Sequence, residues 1–296
     1  MKIGFTGGTG FVGSYMLRRF VNAGHTVTAL VRGGESTDKL PESAISFVHG
    51  DITDPETLLG AFDGCDIVVN LVGIIREAGG ATFDHVHVQG SANVVAAAKA
   101  SGVRKFVQMS SCGTRPGAKS RYHITKWQAE EVVRGSGMEW VILRPSLIFG
   151  KGDGFTSLLI DLVKKAPIIP IIGAGSNLMQ PIAIEDVTST FLAAVEDDAH
   201  NGHTYELGGP ERLRFKDIVR MVARQMGSHK LRIHVPLLIV SPVTYLMSRI
   251  TSRFPLTPDQ MILLQEDNIA EPNDVEDVFN LTLVPFSEGL KKIMVE

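Results

Sequence analysis

The chain is poor in cysteine, carries no excess of positive charge and lacks any long uncharged apolar run. Its two cysteines, Cys65 and Cys112, stand far apart, with no CxxC pair and no Cys/His neighbour at metal-ligand spacing. That excludes zinc-ribbon and dithiol motifs and leaves two reduced, structural thiols as the expectation. With 29 Lys and Arg against 32 Asp and Glu, the formal net charge is -3 and the pI about 6.3. Nucleic-acid binding therefore has no electrostatic footprint. No stretch reaches the roughly 18 to 20 uncharged residues that span a bilayer. The nearest, Val235 to Ile250, is shorter and interrupted by Pro236 and Pro242; its readings are a helix packed on a core or lining a cleft, and a helix lying on a membrane surface. Met1-Lys2 leads straight into an apolar strand without the pattern of a secretory leader, so a cytoplasmic location, with peripheral membrane contact as an option, is expected.

What the chain does have is glycine, and its placement is informative. Residues 2 to 6 (KIGFT) read as a short buried strand; Gly7, Gly8, Gly10 and Gly13 follow, then a helical stretch from Ser14 to Ala23. Strand, glycine turn and helix in that order are what a bound pyrophosphate requires. Glycines allow a sharp turn and close backbone approach, and the helix N-terminus offers unpaired N–H donors with partial positive charge. An unliganded turn can carry the same letters, but the position directly after an N-terminal strand favours the phosphate cradle.

The first half alternates apolar runs with helical periodicity, the pattern of a parallel sheet covered on both faces. Strands are expected at 25–31, 44–49, 66–72, 105–109 and 139–143, and helices at 55–62, 85–100 and 122–134. With 2–6 this makes six strands in a doubly wound α/β fold. Ligands in such sheets sit beyond the strand carboxyl ends, which aligns Gly7 to Gly13, Arg32, Asp51-Ile52, Val72-Gly73, Ser110-Ser111 and Pro145-Ser146 on one rim. Beyond Gly150 helices are expected at 155–165, 185–195 and 215–226, and strands at 180–184 and 204–207. The expected organisation is a dinucleotide-binding domain over 1–150 and a substrate or lid lobe over 151–296, with 180–209 packing back on the sheet.

Tyr122 and Lys126, four apart on a helix, share one face. A nearby ammonium is expected to lower the phenol pKa from about 10, fitting Tyr122 for proton exchange with a carbonyl or carbinol. Lys126 can also hold a nicotinamide ribose. Ser110 and Ser111 end the fifth strand, Ser111 being better placed to hold a substrate oxygen; strand-end capping is their other reading. At the end of the second strand stands Arg32, where an NAD-selective site carries a carboxylate. Its planar fork suits a 2′-phosphate, so NADP is expected, with NAD as the alternative if Glu35 folds back.

These residues resemble the short-chain dehydrogenase/reductase superfamily in its extended and atypical branches. TGGTGFVG (Thr6 to Gly13), GDITD (Gly50 to Asp54), NLVG (Asn70 to Gly73), the Ser110-Ser111 strand end, YHITK (Tyr122 to Lys126) and LRPSLIFG (Leu143 to Gly150) follow its pattern in order. QPIAIEDV (Gln180 to Val187), YELGGP (Tyr205 to Pro210) and LTPDQMILLQEDN (Leu256 to Asn268) resemble bacterial relatives of the NADPH-binding accessory subunit of mitochondrial complex I. The resemblance implies that Gly7, Thr9, Gly10, Phe11, Val12 and Gly13 hold the pyrophosphate. It implies Asp51 and Ile52 at the adenine, Leu71, Val72 and Gly73 at the nicotinamide ribose, and Ser110, Pro145 and Ser146 near the nicotinamide. Tyr122, Lys126 and Ser111 take the catalytic positions. His87 stands where extended members usually carry an Asn, and the eleven positions from Ser111 to Tyr122 are fewer than in sugar-nucleotide epimerases. The implied activities are an oxidoreductase or epimerase/dehydratase-like enzyme and, alternatively, a non-catalytic NADPH-binding module beside a respiratory or quinone-related assembly. For a small-molecule substrate, the apolar 237–247 stretch favours a quinone- or isoprenoid-like compound over a sugar nucleotide; a dimer is a family habit.

Overall fold

The computed structural model describes residues 1–33, 44–250 and 256–295. A seven-stranded parallel sheet forms from β1 (Lys2–Thr6), β2 (Thr26–Val31), β3 (Ile45–His49), β4 (Ile67–Asn70), β5 (Lys105–Met109), β6 (Glu139–Pro145) and, from the second half, the strand His203–Leu207. Four helices complete the wound unit: α1 (Phe11–Asn22), α2 (Gly90–Ala100), α3 (Arg121–Arg134) and, later in the chain, Ile184–Glu196. The spatial order runs from His203–Leu207 through β6, β5, β4 and β1 to β2 and β3. Strand order reverses between β1 and β4, the switch point where ligands enter such sheets.

Period-two alternation explains why the sheet is covered on both faces. Ile3, Phe5, Ile67, Val69 and Val107 point to a core shared with Met16, Leu17 and Phe20 of α1 and Phe191. Val68, Phe106 and Ile142 point to the opposite core, with Phe62, Val94 and Ala98. Each fully buried aromatic or branched aliphatic side chain contributes roughly 1.5–3 kcal/mol. Beneath the rim, Asn70 Nδ2 donates to Gln108 Oε1 at 2.9 Å and Asn70 Oδ1 accepts from the Thr6 hydroxyl, which ties β1, β4 and β5 together.

The second half adds β7 (Ile148–Phe149), α4 (Gly154–Lys165), β8 (Ile169–Ile172), β9 (Leu178–Met179), β10 (Ile182–Ala183), α5 (Ile184–Glu196), β11 (His203–Leu207), β12 (Leu213–Arg214), α6 (Phe215–Gln225), β13 (Arg232–Val235), α7 (Leu237–Ile250), α8 (Pro258–Leu263), α9 (Val275–Phe279) and α10 (Phe286–Val295). Phe149, Leu159, Ile169, Phe215, Ile218 and Phe286 anchor its own core.

Several expected elements differ. The helix expected at 55–62 is only a 3-10 turn, Pro55–Leu58, because Leu59 is extended and Gly60 takes φ +69°. Thr57 fastens that turn, accepting from Asp51 N at 2.9 Å and donating to Asp54 O at 2.7 Å. The helix expected at 85–100 begins with a π-turn, Asp84–Gln89, before α2. The single strand expected at 180–184 is replaced by β9 and β10, which pair with β12 and β7. Strands β8 and β13, paired in parallel with each other, were not expected at all. The wound sheet has seven strands rather than six, β11 joining β6 from His203↔Val141 to Leu207↔Pro145.

Candidate functional site

At the switch point the chain turns through Gly7, whose φ is +80°. Gly7 O accepts from Gly10 N at 3.2 Å, and Ser14 N bonds Gly10 O at 3.0 Å. Gly10 caps α1 with no side-chain acceptor, so the first-turn N–H donors of the helix are left for a ligand. A Cβ on Gly13 would fall 2.0 Å from Gly7 O, which is why helix and turn can lie so close.

This turn opens on a cavity of about 500 Å³. Among the expected residues, Gly7, Thr9, Gly10, Arg32, Asp51, Ile52, Leu71, Val72 and Gly73 line it. Phe11, Val12 and Gly13 form the first turn of α1 beside it. Also on the wall are Leu30, Gly50, Thr53, Ile74, Gly79, Gly80, Ala81, His85 and Val86, none anticipated as cavity residues. The Gly79-Gly80 pair, both at positive φ, is the signal that could have marked this wall as a turn. The expectation about Glu35 falls outside the described residues.

Tyr122, Lys126, Ser110, Ser111, Pro145 and Ser146 do not line that cavity; of these, Lys126 adjoins it through Gly73. Lys126, almost fully buried, places its Nζ 2.9 Å from where a Gly73 Cβ would be and donates to Met109 O at 3.2 Å. Tyr122 is half-buried, in edge-on contact with Phe83, His87 and His123 at ring distances of 6.0, 5.5 and 5.3 Å. Ser110 N bonds Leu143 O at 2.7 Å, Cys112 N bonds Pro145 O at 3.0 Å, and Ser146 donates its hydroxyl to Gln180 O. These bonds fix the ends of β5 and β6 side by side. Cys65 and Cys112 are buried free thiols, each pushed up by burial.

The electrostatics depart from the expected picture. Burial pushes the Tyr122 phenol above its usual value, while a hydrogen bond from Ser111 pulls it back down. Burial also lowers Lys126 to about 8, with Glu130 opposing. An ammonium that is itself hard to keep charged cannot depress its neighbour strongly, so the expected lowering of Tyr122 is absent. His87 is buried and lowered to about 3 by desolvation first and Lys126 second, and is therefore neutral near pH 7.

A family model described as the NAD dependent epimerase/dehydratase family matches residues 3–208. The mitochondrial NADH dehydrogenase (ubiquinone) 1 alpha subcomplex subunit 9 of Arabidopsis thaliana is 26% identical over 273 residues, covering 88% of this chain and 67% of that protein. A ceramide reductase of Caulobacter vibrioides is 26% identical, with 79% and 73% covered. The mitochondrial NADH-ubiquinone oxidoreductase 40 kDa subunit of Neurospora crassa is also 26% identical, with 82% and 65% covered, so the chain spans slightly less than two thirds of that subunit. Among solved structures, a UDP-glucose 4-epimerase of Thermotoga maritima with UDP-glucose superposes with a TM-score of 0.77 at 18% identity, covering 100% of this chain and 97% of the other. This last likeness concerns the fold alone. Fold, motif order and family match agree: the chain belongs to the NAD dependent epimerase/dehydratase family.

Proposed function

We propose that the protein is an NADP(H)-dependent oxidoreductase or epimerase-like enzyme acting on a small carbonyl or carbinol compound. The observation that carries this reading is the junction at Gly73: Lys126 Nζ abuts the mouth of the glycine-turn cavity, so the Tyr-Lys helix and the dinucleotide-sized cavity meet at one point. The residues fit the cofactor. Gly7, Gly10 and the first turn of α1 would hold the pyrophosphate, and Arg32 a 2′-phosphate. Asp51 and Ile52 would flank the adenine, and Leu71 to Gly73 the nicotinamide ribose. A bound nicotinamide would supply or accept the hydride. Ser111 would orient the substrate oxygen, Tyr122 would pass a proton between its hydroxyl and that oxygen, and Lys126 would hold the ribose and stabilise the phenolate. Residues 1–150 would serve as the cofactor unit and 151–296 as the substrate lobe, with 180–209 packing back on the sheet.

The substrate reading favours an apolar compound of quinone or isoprenoid type. Arg212 is occupied by Ala270 O at 2.9 Å and Glu271 at 3.4 Å, and Arg144 is bound twice by Glu130, so neither is offered to a sugar-nucleotide diphosphate. Tyr122→Phe should abolish NADPH oxidation against a carbonyl panel while leaving NADPH affinity nearly intact. Unchanged turnover would remove Tyr122 from the chemistry. A second reading, a cofactor-binding module without turnover, is favoured by the enclosure of Tyr122 among Phe83, His87 and His123 and by the mitochondrial relatives. It predicts tight NADPH binding, no turnover of any carbonyl, and recovery with a protein partner in a pull-down.

A further inference from the structure

Helix α7 is amphipathic in the reverse sense. At roughly 100° per residue, Leu238, Ile239, Pro242, Tyr245 and Leu246 share one side of the helix, and all are exposed, Leu238 by 90% and Leu246 by 59%. The opposite side, Leu237, Val240 and Thr244, is turned towards the protein, with Thr244 fully buried. A surface helix of a globular protein directs its apolar stripe inward; α7 sends it to water. Just before it, β13 exposes Leu231 and Ile233, so half of the large apolar side chains exposed among the described residues lie between 231 and 246. Clustering of this kind marks an interaction site.

The charge around this face identifies the partner. Residues 218–258 contain no acidic residue, whereas among the described side chains of that stretch Arg220, Arg224, Lys230 and Arg232 are basic, in a chain whose net charge is -3. Lys230 Nζ donates to Val163 O at 2.7 Å and Lys164 O at 3.0 Å, which brings the exposed Lys164 and Lys165 at the end of α4 to the same border. Asp161 and Asp217 offset only Lys165 and Arg220 there, at 2.7 and 3.0 Å, so a two-fold contact between copies would still set two surfaces with a basic excess against each other. An anionic bilayer offers phosphates to the basic border and an apolar layer to the Leu, Ile and Tyr side chains. Helix α7 has 14 residues, and no helix among the described residues is long and apolar enough to cross a membrane, so the fitting geometry is flat on the surface. From this we infer that the β13–α7 face docks the protein on anionic lipid membranes.

Flotation of the full chain with vesicles of phosphatidylglycerol and phosphatidylcholine, against vesicles of phosphatidylcholine alone, tests the inference. The chain should float with the anionic vesicles and do so at least about fivefold less with the neutral ones or in high salt. A Leu238→Asp, Leu246→Asp variant changes only exposed side chains; it should keep the parent circular dichroism and float at least about tenfold less. Arg232→Glu, on a different element, should weaken flotation independently. Parent protein that stays at the bottom of the gradient, or either variant floating like the parent, overturns the inference. So does a concentration-dependent dimer in sedimentation velocity that the Leu238→Asp, Leu246→Asp variant abolishes in the absence of any flotation, since that gives the face to a second copy.

Discussion

His87 Nδ1 lies 2.9 Å from Thr125 Oγ1, one residue before Lys126 on α3. Its other nitrogen, Nε2, lies 3.1 Å from Ile74 N and 3.0 Å from Ile74 O, one residue beyond Gly73. The ring stacks on Phe83 at 5.4 Å and meets Tyr122 edge-on. One neutral imidazole therefore bridges the two sides of the junction where the Tyr-Lys helix meets the cavity. The π-turn at Asp84–Gln89 carries His87 there, an example of local helix widening placing a side chain inside a site.

If His87 positions Lys126 and Gly73 relative to each other, His87→Ala should weaken NADPH binding about tenfold, the cost of roughly one net hydrogen bond lost on each side. Fluorescence titration reads the affinity and a thermal melt separates it from unfolding. A folded variant that binds like the parent would reduce His87 to core packing.

The same histidine makes stability depend on pH. Unfolded histidine titrates near 6.5, whereas folded His87 stands at about 3 and folded His123 at about 4, both lowered chiefly by burial. Between those values the unfolded chain binds more protons than the folded one, so stability rises with pH across the window. The stability is whole above about pH 6.5 and is lost as pH falls towards 4 and then 3, by on the order of 3 kcal/mol for His123 and 5 kcal/mol for His87. Urea unfolding at pH 7, 5.5 and 4.5 should show this decline, and a His123→Asn variant should show a shallower one. Parallel curves for the two proteins would refute the assignment.

The glycine turn, the switch-point rim and the Tyr122-Lys126 face were legible because each rests on local spacing: a left-handed position at Gly7, a helix start after Gly10, a four-residue interval on α3. Other features depend on long-range packing. Leu58, Ala61 and Phe62 have helical spacing and are all buried, yet Gly60 breaks the helix; core burial is compatible with a chain of turns. Strands β8 and β13 are not legible in the sequence because Pro167 precedes the first, Pro170 lies within it, and the second is mostly exposed. The 204–207 run read as a strand, but nothing in its letters names β6 as its partner. The acidity of Tyr122 departs from expectation for a related reason: spacing predicts that a lysine lies near, whereas the charge that lysine can sustain is set by how deeply the fold buries it.

The cradle makes a discriminating prediction between two neighbouring glycines. A Cβ at position 13 would meet the carbonyl oxygen and carbon of Gly7 at 2.0 and 2.8 Å, backbone atoms that cannot move without displacing β1 or α1. At position 10 it would meet only Gly7 O, at 3.4 Å, with φ at -73°. Gly13→Ala should therefore cost several kcal/mol, in the range of severe steric substitutions at about 3 kcal/mol or more, and Gly10→Ala should melt within a few degrees of the parent. Because position 10 lines the cavity, Gly10→Ala should still lose NADPH affinity. Equal melting temperatures for the two variants would show that α1 can slide away from the turn.

Arg32 tests the cofactor reading most directly. It is exposed at the end of β2 and lines the same cavity as Gly7 and Asp51, on the side where the second strand of such sheets meets the adenosine ribose. A guanidinium there attracts a 2′-phosphate and leaves a 2′-hydroxyl without a carboxylate partner. Arg32→Asp reverses both terms: it repels the phosphate and supplies an acceptor for the hydroxyl. With charge-assisted hydrogen bonds contributing about 1.5–3 kcal/mol, NADPH should bind the variant roughly 10- to 100-fold more weakly and NADH no worse than the parent. Parallel titrations with the two cofactors measure the ratio. If it does not move, Arg32 does not read the ribose, and the preference must come from another part of the cavity wall, such as the Gly50 to Thr53 turn that faces it.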